Sequence, residues 1–109
     1  MSWETLVNGF IKFIQGLATE EKDFLIDKVR KYLELQPTEY GFFAEKIEGE
    51  GYFFKHLNWC SHLDEEDVEE LIEELKGKVE SYEINLYYLT DGVTYYKHGD
   101  KEDKHYIVP

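Results

Sequence analysis

From Asp64 to Glu74, eight of eleven residues are acidic, and the apolar positions are Val68, Leu71 and Ile72, with Leu75 just beyond. At 100° per residue these four fall on one arc, and the acids take every other direction. Such a segment is a helix that can bury one stripe only, so the rest of the chain must supply a layer to receive that stripe. Asp64 is its expected cap, Leu63 and Val68 stand where a hydrophobic staple closes, and Asp67 stands where a reciprocal capping residue would. Val79 continues the stripe, and Gly77 weakens the last turn.

Before this helix the spacing predicts two more. Ser2 caps the first, in which Trp3, Leu6, Val7, Phe10, Ile11, Phe13, Ile14 and Leu17 recur at helical intervals, with Gly16 near its end. Its apolar arc is wide enough to pack on more than one neighbour. Thr19 caps the second, followed by Glu20 and Glu21 where the helix dipole favours anions, with Leu25, Val29, Tyr32 and Leu33 on one face and Pro37 as the stop. Residues 1–36 are thus expected to form a helical hairpin.

The period then shortens. Phe42, Phe43, Ala44 and Ile47 are separated from Tyr52, Phe53, Phe54 and Leu57 by Glu48-Gly49-Glu50-Gly51, a hairpin signal. After the acidic helix, Tyr82, Ile84, Leu86 and Tyr88 alternate with Glu83, Asn85, Tyr87 and Leu89, and Asp91-Gly92 leads into Val93-Thr94-Tyr95-Tyr96. Gly99 to Asp103 is expected to turn, and residues 104–108 to add an edge strand. The expectation is a single α+β domain over residues 1–109, of order ααββαβββ, with residues 40–109 as its sheet-containing part. It has a mainly antiparallel sheet of four to five strands, with helices packed on one face. A βαββ segment of this kind is compatible with a ferredoxin-like split arrangement.

Charge narrows the function classes. The chain has 24 acids against 12 bases, and residues 41–80 carry 12 of the acids with only 4 bases. Direct nucleic-acid binding is not expected of a net charge of −12, because phosphates are neutralised by Lys and Arg. No apolar run approaches the roughly 18 residues of a membrane span. The opening Met1-Ser2-Trp3-Glu4 lacks the pattern of an export signal, and a cytoplasmic setting is expected. One Cys excludes an internal disulfide and any metal framework of several thiolates. No cofactor and no metal are expected: the acids of the helix lack the Gly-containing loop of a calcium site, and no His pair has zinc-motif spacing.

The acidic helix is the leading candidate for function. Glu66–Glu70, Glu69–Glu73 and Glu70–Glu74 are like-charge pairs one turn apart, each costing about 0.2–0.5 kcal/mol. Carboxylates so spaced present a row of anions to a basic groove, and they speed association by long-range attraction. A solvated face that merely keeps the domain soluble is the alternative use of the same residues. The second feature is aromatic: nine Tyr, seven Phe and two Trp exceed the needs of a small core. In pairs such as Tyr87-Tyr88 and Tyr95-Tyr96 one member must leave the helix-covered side of a strand.

These features select a small, non-enzymatic binding protein that inhibits a basic, nucleic-acid-handling target in the manner of an immunity protein, antitoxin or anti-CRISPR protein, with DNA mimicry as the device. The expected partner-binding residues are Glu66, Glu69, Glu70, Glu73, Glu74, Tyr87, Tyr95 and Tyr96. A homodimeric structural or ligand-binding domain joined through a Tyr-rich sheet face is the alternative. An enzyme centred on Cys60, with His56 or His62 taking its proton, is the third reading, opposed by the surrounding carboxylates.

Overall fold

Residues Thr5–Phe13 form the strand at the middle of the sheet, where the sequence pattern predicts a helix. Thr5, Val7, Ile11 and Phe13 are buried, while Leu6 and Phe10 point to the other side and are half-buried. A strand that is apolar on both faces places hydrophobic residues at 6, 7, 10, 11 and 13, and these coincide with helical spacing. Periodicity alone cannot separate the two. Gly9 tips the balance, because it costs a helix about 1 kcal/mol relative to Ala and marks a close backbone approach in a strand.

The structure, a computed structural model, describes residues 5–37, 39, 41–58, 63–88, 92–97 and 100–104. The described elements are β1 (Thr5–Phe13), α1 (Thr19–Tyr32), β2 (Gly41–Glu48), β3 (Gly51–Asn58), α2 (Glu65–Leu75), β4 (Val79–Tyr88), β5 (Gly92–Lys97) and β6 (Asp100–Lys104). The chain is an α+β fold whose order begins βαββαβ rather than ααββα. The helical hairpin expected of residues 1–36 is therefore a strand followed by one helix. The six strands lie in the order β2-β3-β1-β4-β5-β6, and every neighbouring pair is antiparallel. Because β1 and β2 both run opposite to β3, they are parallel to each other with β3 between them. By the same argument β3 and β4 are parallel around β1. Each helix thus closes a split βαβ unit, the ferredoxin-like arrangement, and β5 and β6 extend its sheet.

Both helices cover one face. Leu25, Ile26, Val29 and Leu33 from the α1 region and Val68, Leu71, Ile72 and Leu75 from α2 join Val7, Ile11, Tyr52, Phe54, Tyr82, Ile84 and Leu86 in one buried cluster. The expected stripe of α2 is the observed one, except that Val79 belongs to β4. Leu63 and Val68, the staple pair, are both buried beside the Asp64 cap, although that carboxylate makes no capping hydrogen bond. The cap of α1 is Ala18, not Thr19, which is the first helical residue; the acids Glu20 and Glu21 in the first turn serve the helix dipole instead. Strand β6 starts at Asp100, paired with Lys97, so the segment expected to turn is strand. Its Asp-Lys-Glu-Asp-Lys sequence carries no apolar signal, yet charge suits an edge strand. Of the final strand expected over residues 104–108, Lys104 ends β6, and residues 105–108 lie outside the described residues.

Two backbone positions carry the chain through tight places. At Gly9 (φ +154°) an added Cβ would lie 1.9 Å from the Glu83 carbonyl oxygen, so only glycine lets β1 close on β4. At the end of α1, Glu34 adopts φ +53° while the Leu35 amide donates to the Arg30 carbonyl (2.8 Å) and the Glu34 amide to Lys31 (3.4 Å). That is a Schellman ending with a non-glycine residue in the left-handed position. It terminates α1 before Pro37 is reached.

Two outcomes follow for chemical denaturation. Gly9→Ala forces the two central strands apart and lowers unfolding free energy by about 2–4 kcal/mol in a urea titration. Glu34→Gly removes the left-handed penalty and raises it by roughly 0.5–1 kcal/mol.

Candidate functional site

Helix α2 is fixed at its start and along its buried stripe, leaving its acids on a firm support. The Tyr88 hydroxyl donates to the Leu63 carbonyl (2.7 Å), joining the end of β4 to the segment that leads into the helix. Burial, with the nearby Glu65 and Asp64 carboxylates adding to it, pushes the Tyr88 phenol up to about 12, so it remains a donor throughout the physiological range. The Thr94 hydroxyl of β5 donates to Glu65 (3.2 Å) in the first turn. At the other side Lys28 of α1 reaches Glu74 at 3.9 Å.

Seven acids and no base lie within α2, whereas α1 carries four of each. The molecule's acidity is therefore concentrated in one helix of the covering layer. Glu66, Glu69, Glu70, Glu73 and Glu74 are all exposed. Lys76 pairs with Glu73 at 2.7 Å, but both side chains are about two-thirds exposed, where such a pair contributes little. Among the described residues no cation stands within ion-pair distance of Glu66, Glu69 or Glu70. A groove beside the helix is lined by Glu66, Glu69, Glu70, Ile72, Glu73, Lys76 and Tyr96, and a second, between the helices, by Tyr32, Glu70, Glu73 and Glu74. Both are open, anionic and shallow enough to accept a protruding side chain from a partner.

The expected tyrosines do not form one surface with these glutamates. Tyr96 lies on the helix-covered side, 1% exposed, and contributes to the groove wall from below. Tyr87 and Tyr95 lie on the opposite side of the sheet, their rings edge to face at 6.2 Å. The alternation rule separated the neighbours correctly, but grouping all three with α2 ignored that the sheet stands between them.

The open side of the sheet also holds aromatics that the sequence reading gives no role. Phe42 is 53% exposed, Phe53 is 43% exposed, and Phe10 packs beside Phe53 with ring centroids 6.2 Å apart. Phe10 was hidden by the helical reading of its segment. The alternation Thr5, Val7, Ile11, Phe13, interrupted only by Gly9, is the signal that could have placed it.

Of the residues proposed for nucleophilic chemistry, Cys60 and His62 lie outside the described residues. His56 is buried on the helix-covered side of β3, where its Nε2 donates to the Gln36 carbonyl (3.1 Å) and its ring meets Phe43 edge-on. Burial holds its protonation below the usual histidine range, despite the carbonyl acceptor and Glu34, which act the other way. Among the described residues no group of three His, Cys, Asp or Glu is placed to hold a metal ion, and no helix is long and apolar enough to cross a membrane.

A second charged constellation is a structural clamp. Arg30 of α1 grips Glu45 of the edge strand β2 with two hydrogen bonds, 3.0 Å from Nε and 2.8 Å from Nη2, and its Nη1 reaches Asp27 at 2.8 Å. The buried Tyr52 hydroxyl donates to the same Glu45 at 2.5 Å. The Arg30 guanidinium holds the Glu45 carboxyl below its ordinary range, with the Tyr52 hydroxyl acting in the same sense against partial burial. The arrangement holds α1 over β2 and β3.

No protein-family model matches this chain, and no curated protein or solved structure matches it either.

Both perturbed groups give stability the same pH sense. A depressed carboxyl contributes stability that is complete above its unfolded value and is lost as pH falls through the folded one. A histidine whose folded value is depressed likewise costs stability once the unfolded chain begins to take up protons, below about 6.5. Thermal midpoints should therefore fall in two stages on acidification, the first below neutrality and removed in His56→Gln, the second in the carboxylate range and diminished in Glu45→Gln. A flat midpoint between pH 7 and 5 in the wild-type protein would contradict the first assignment.

Proposed function

We propose that this protein binds and blocks a basic, nucleic-acid-handling protein by laying the exposed face of α2 on the surface that would otherwise receive phosphates. The single observation that supports the reading is the row of exposed glutamates on one supported helix, of which Glu66, Glu69 and Glu70 have no cation within ion-pair distance among the described residues, while α1 beside it is balanced. Side chains three and four residues apart stand about 5–6 Å from one another on a helix, so Glu66, Glu69, Glu70, Glu73 and Glu74 offer two adjacent columns of anions. A cationic groove built for a phosphate backbone pairs with such columns without any base being read.

In this proposal the mechanism is steering followed by occlusion. The local charge raises the encounter rate at low ionic strength. The open grooves flanking α2 then receive Lys or Arg side chains of the target. Tyr87 and Tyr95 take no part in this contact, because they lie across the sheet. Nuclease immunity, antitoxin action and phage anti-defence, including inhibition of CRISPR complexes, are the biological settings that fit a DNA-mimicking device, and a cytoplasm is the compartment. The reading requires neither catalysis nor a cofactor.

The central residue for a test is Glu70, which faces Glu66 one turn before it and Glu74 one turn after. Glu70→Lys converts two repulsive pairs into attractive ones and raises stability by roughly 0.5–1 kcal/mol. The same substitution weakens target binding, and reversal of Glu66, Glu69, Glu70 and Glu73 together abolishes it with the circular dichroism spectrum unchanged. Capture from host lysate at low and moderate salt, with the bound proteins identified by mass spectrometry, measures the effect. Retention of the same basic partner by a folded fourfold variant would rule the proposal out.

A further inference from the structure

No described helix or strand covers the side of the sheet away from the helices, where apolar side chains stand among polar ones. Its residues follow from strand register. One row across five strands reads Phe42, Leu57, Leu6, Tyr87 and Val93, and a second row holds Phe53 and Phe10 side by side. Between these rows Asn85 donates from Nδ2 to Asn8 at 2.9 Å. Asn85 is 93% buried by its neighbours, since 7% of it is exposed, and its Oδ1 has no hydrogen-bond partner.

The charge of this face differs from that of the whole chain. Its ion pairs are Lys12–Glu80 (3.5 Å), Lys46–Glu48 (2.9 Å) and Lys97–Glu83 (3.6 Å), with Lys55 in addition. Among the described side chains it is close to neutral, while the excess acid sits on the helix layer. We infer that the open sheet face joins two copies of this chain into a symmetric dimer, sheet against sheet, with both α2 helices on the outside.

Three considerations select a second copy over a nucleic acid. First, with Lys12, Lys46 and Lys97 each paired with a glutamate, the face offers a phosphate chain Lys55 alone among its described lysines, and the molecule behind it repels that chain. Second, a two-fold axis brings the same patch to both sides, so Lys and Glu on one copy face Glu and Lys on the other. The alternation of Lys46, Lys12 and Lys97 with Glu48, Glu80 and Glu83 suits such self-matching. Third, the area is of the right order. Six strands about 4.8 Å apart, with about seven residues each at roughly 3.3 Å, give a flat footprint on the order of 550 Å², which side-chain relief carries towards the ~800 Å² per partner of a stable interface.

In the dimer, Phe10, Phe42 and Phe53 form the dry centre that sheets packed about 10 Å apart require. The Asn8–Asn85 pair lies near that centre. The two acidic layers stand on opposite outer surfaces. With a shortest molecular extent of 20 Å, they are separated by far more than the ~8 Å screening length of physiological salt. The inference is independent of what α2 binds, since the two surfaces lie on opposite sides of the sheet.

The experiment is light scattering coupled to size exclusion on the full chain from micromolar to millimolar concentration, with a titration of labelled single-stranded oligonucleotide followed by anisotropy. The expected mass is twice the 13.0 kDa of the chain, insensitive to salt. Phe53→Glu should raise the dissociation constant by about tenfold or more. Phe24→Glu, an exposed aromatic on the helix layer, should leave it unchanged. Should Phe53→Glu fail to fold, amide chemical-shift changes of the wild-type protein on dilution decide the matter. Shifts confined to the open-face residues of β1, β3 and β4 support the dimer, and shifts confined to α1 and α2 overturn it. A monomer at every concentration, equal dissociation by Phe24→Glu, or oligonucleotide binding by a monomer that Phe53→Glu abolishes would each overturn it as well.

Discussion

The structure depends on β1 being paired along both edges at once. Thr5–Lys12 are in register with Asn58–Gly51 on one side and with Tyr88–Ser81 on the other. Every backbone polar group of this strand is thereby directed into the sheet, which is the condition for burying it in the middle of a domain. Val7, Ile11 and Phe13 then project into the helix layer, and Leu6 and Phe10 to the open side. The absent side chain at Gly9 is what lets the β4 backbone approach. Neither βαβ unit could close without this shared central strand.

Given that strand, the helices have little freedom. Each must pass over one face of the sheet to reach a strand parallel to the one it left. The apolar stripes of α1 and α2 meet the same sheet side, where they share one core. The Arg30–Glu45–Tyr52 clamp and the Tyr88 and Thr94 hydrogen bonds fasten helices to strands at opposite ends of the layer. The consequence for function is segregation: seven acids and no base gather on α2, while Phe42 and Phe53 are exposed on the side of the sheet away from the helices.

How far this was legible in the sequence depends on the environment of each segment. The acidic helix was plain, because one buried stripe against seven carboxylates fits no other structure. The hairpin at Gly49–Glu50 and the strands β4 and β5 were equally plain, since turn residues interrupt alternating runs. Residues 5–13 were not, because a central strand buried on one side and apolar on the other mimics a wide helical arc. That single substitution of strand for helix also hid Phe10 and, with it, the continuity of the open face. Strand β6 was missed for the opposite reason: an edge strand composed of charged residues has no hydrophobic signature at all. The glutamates proposed for binding were found where expected, whereas the three tyrosines were divided between two sides, a fact that depends on long-range register.

The partners of the central strand come from far along the chain. Thr5 pairs with Asn58 and with Tyr88, the second a separation of 83 residues. Native contacts of such high order form slowly, since long loops must close before any of them is rewarded. During synthesis the first strand emerges with its Val, Ile and Phe side chains unsheltered, and it stays so until β4, near residue 88, has left the ribosome. A product truncated before that point holds β1, α1, β2, β3 and α2 yet cannot complete its core. The protein's yield in a cell should therefore depend strongly on chaperone supply and on uninterrupted translation of its last third.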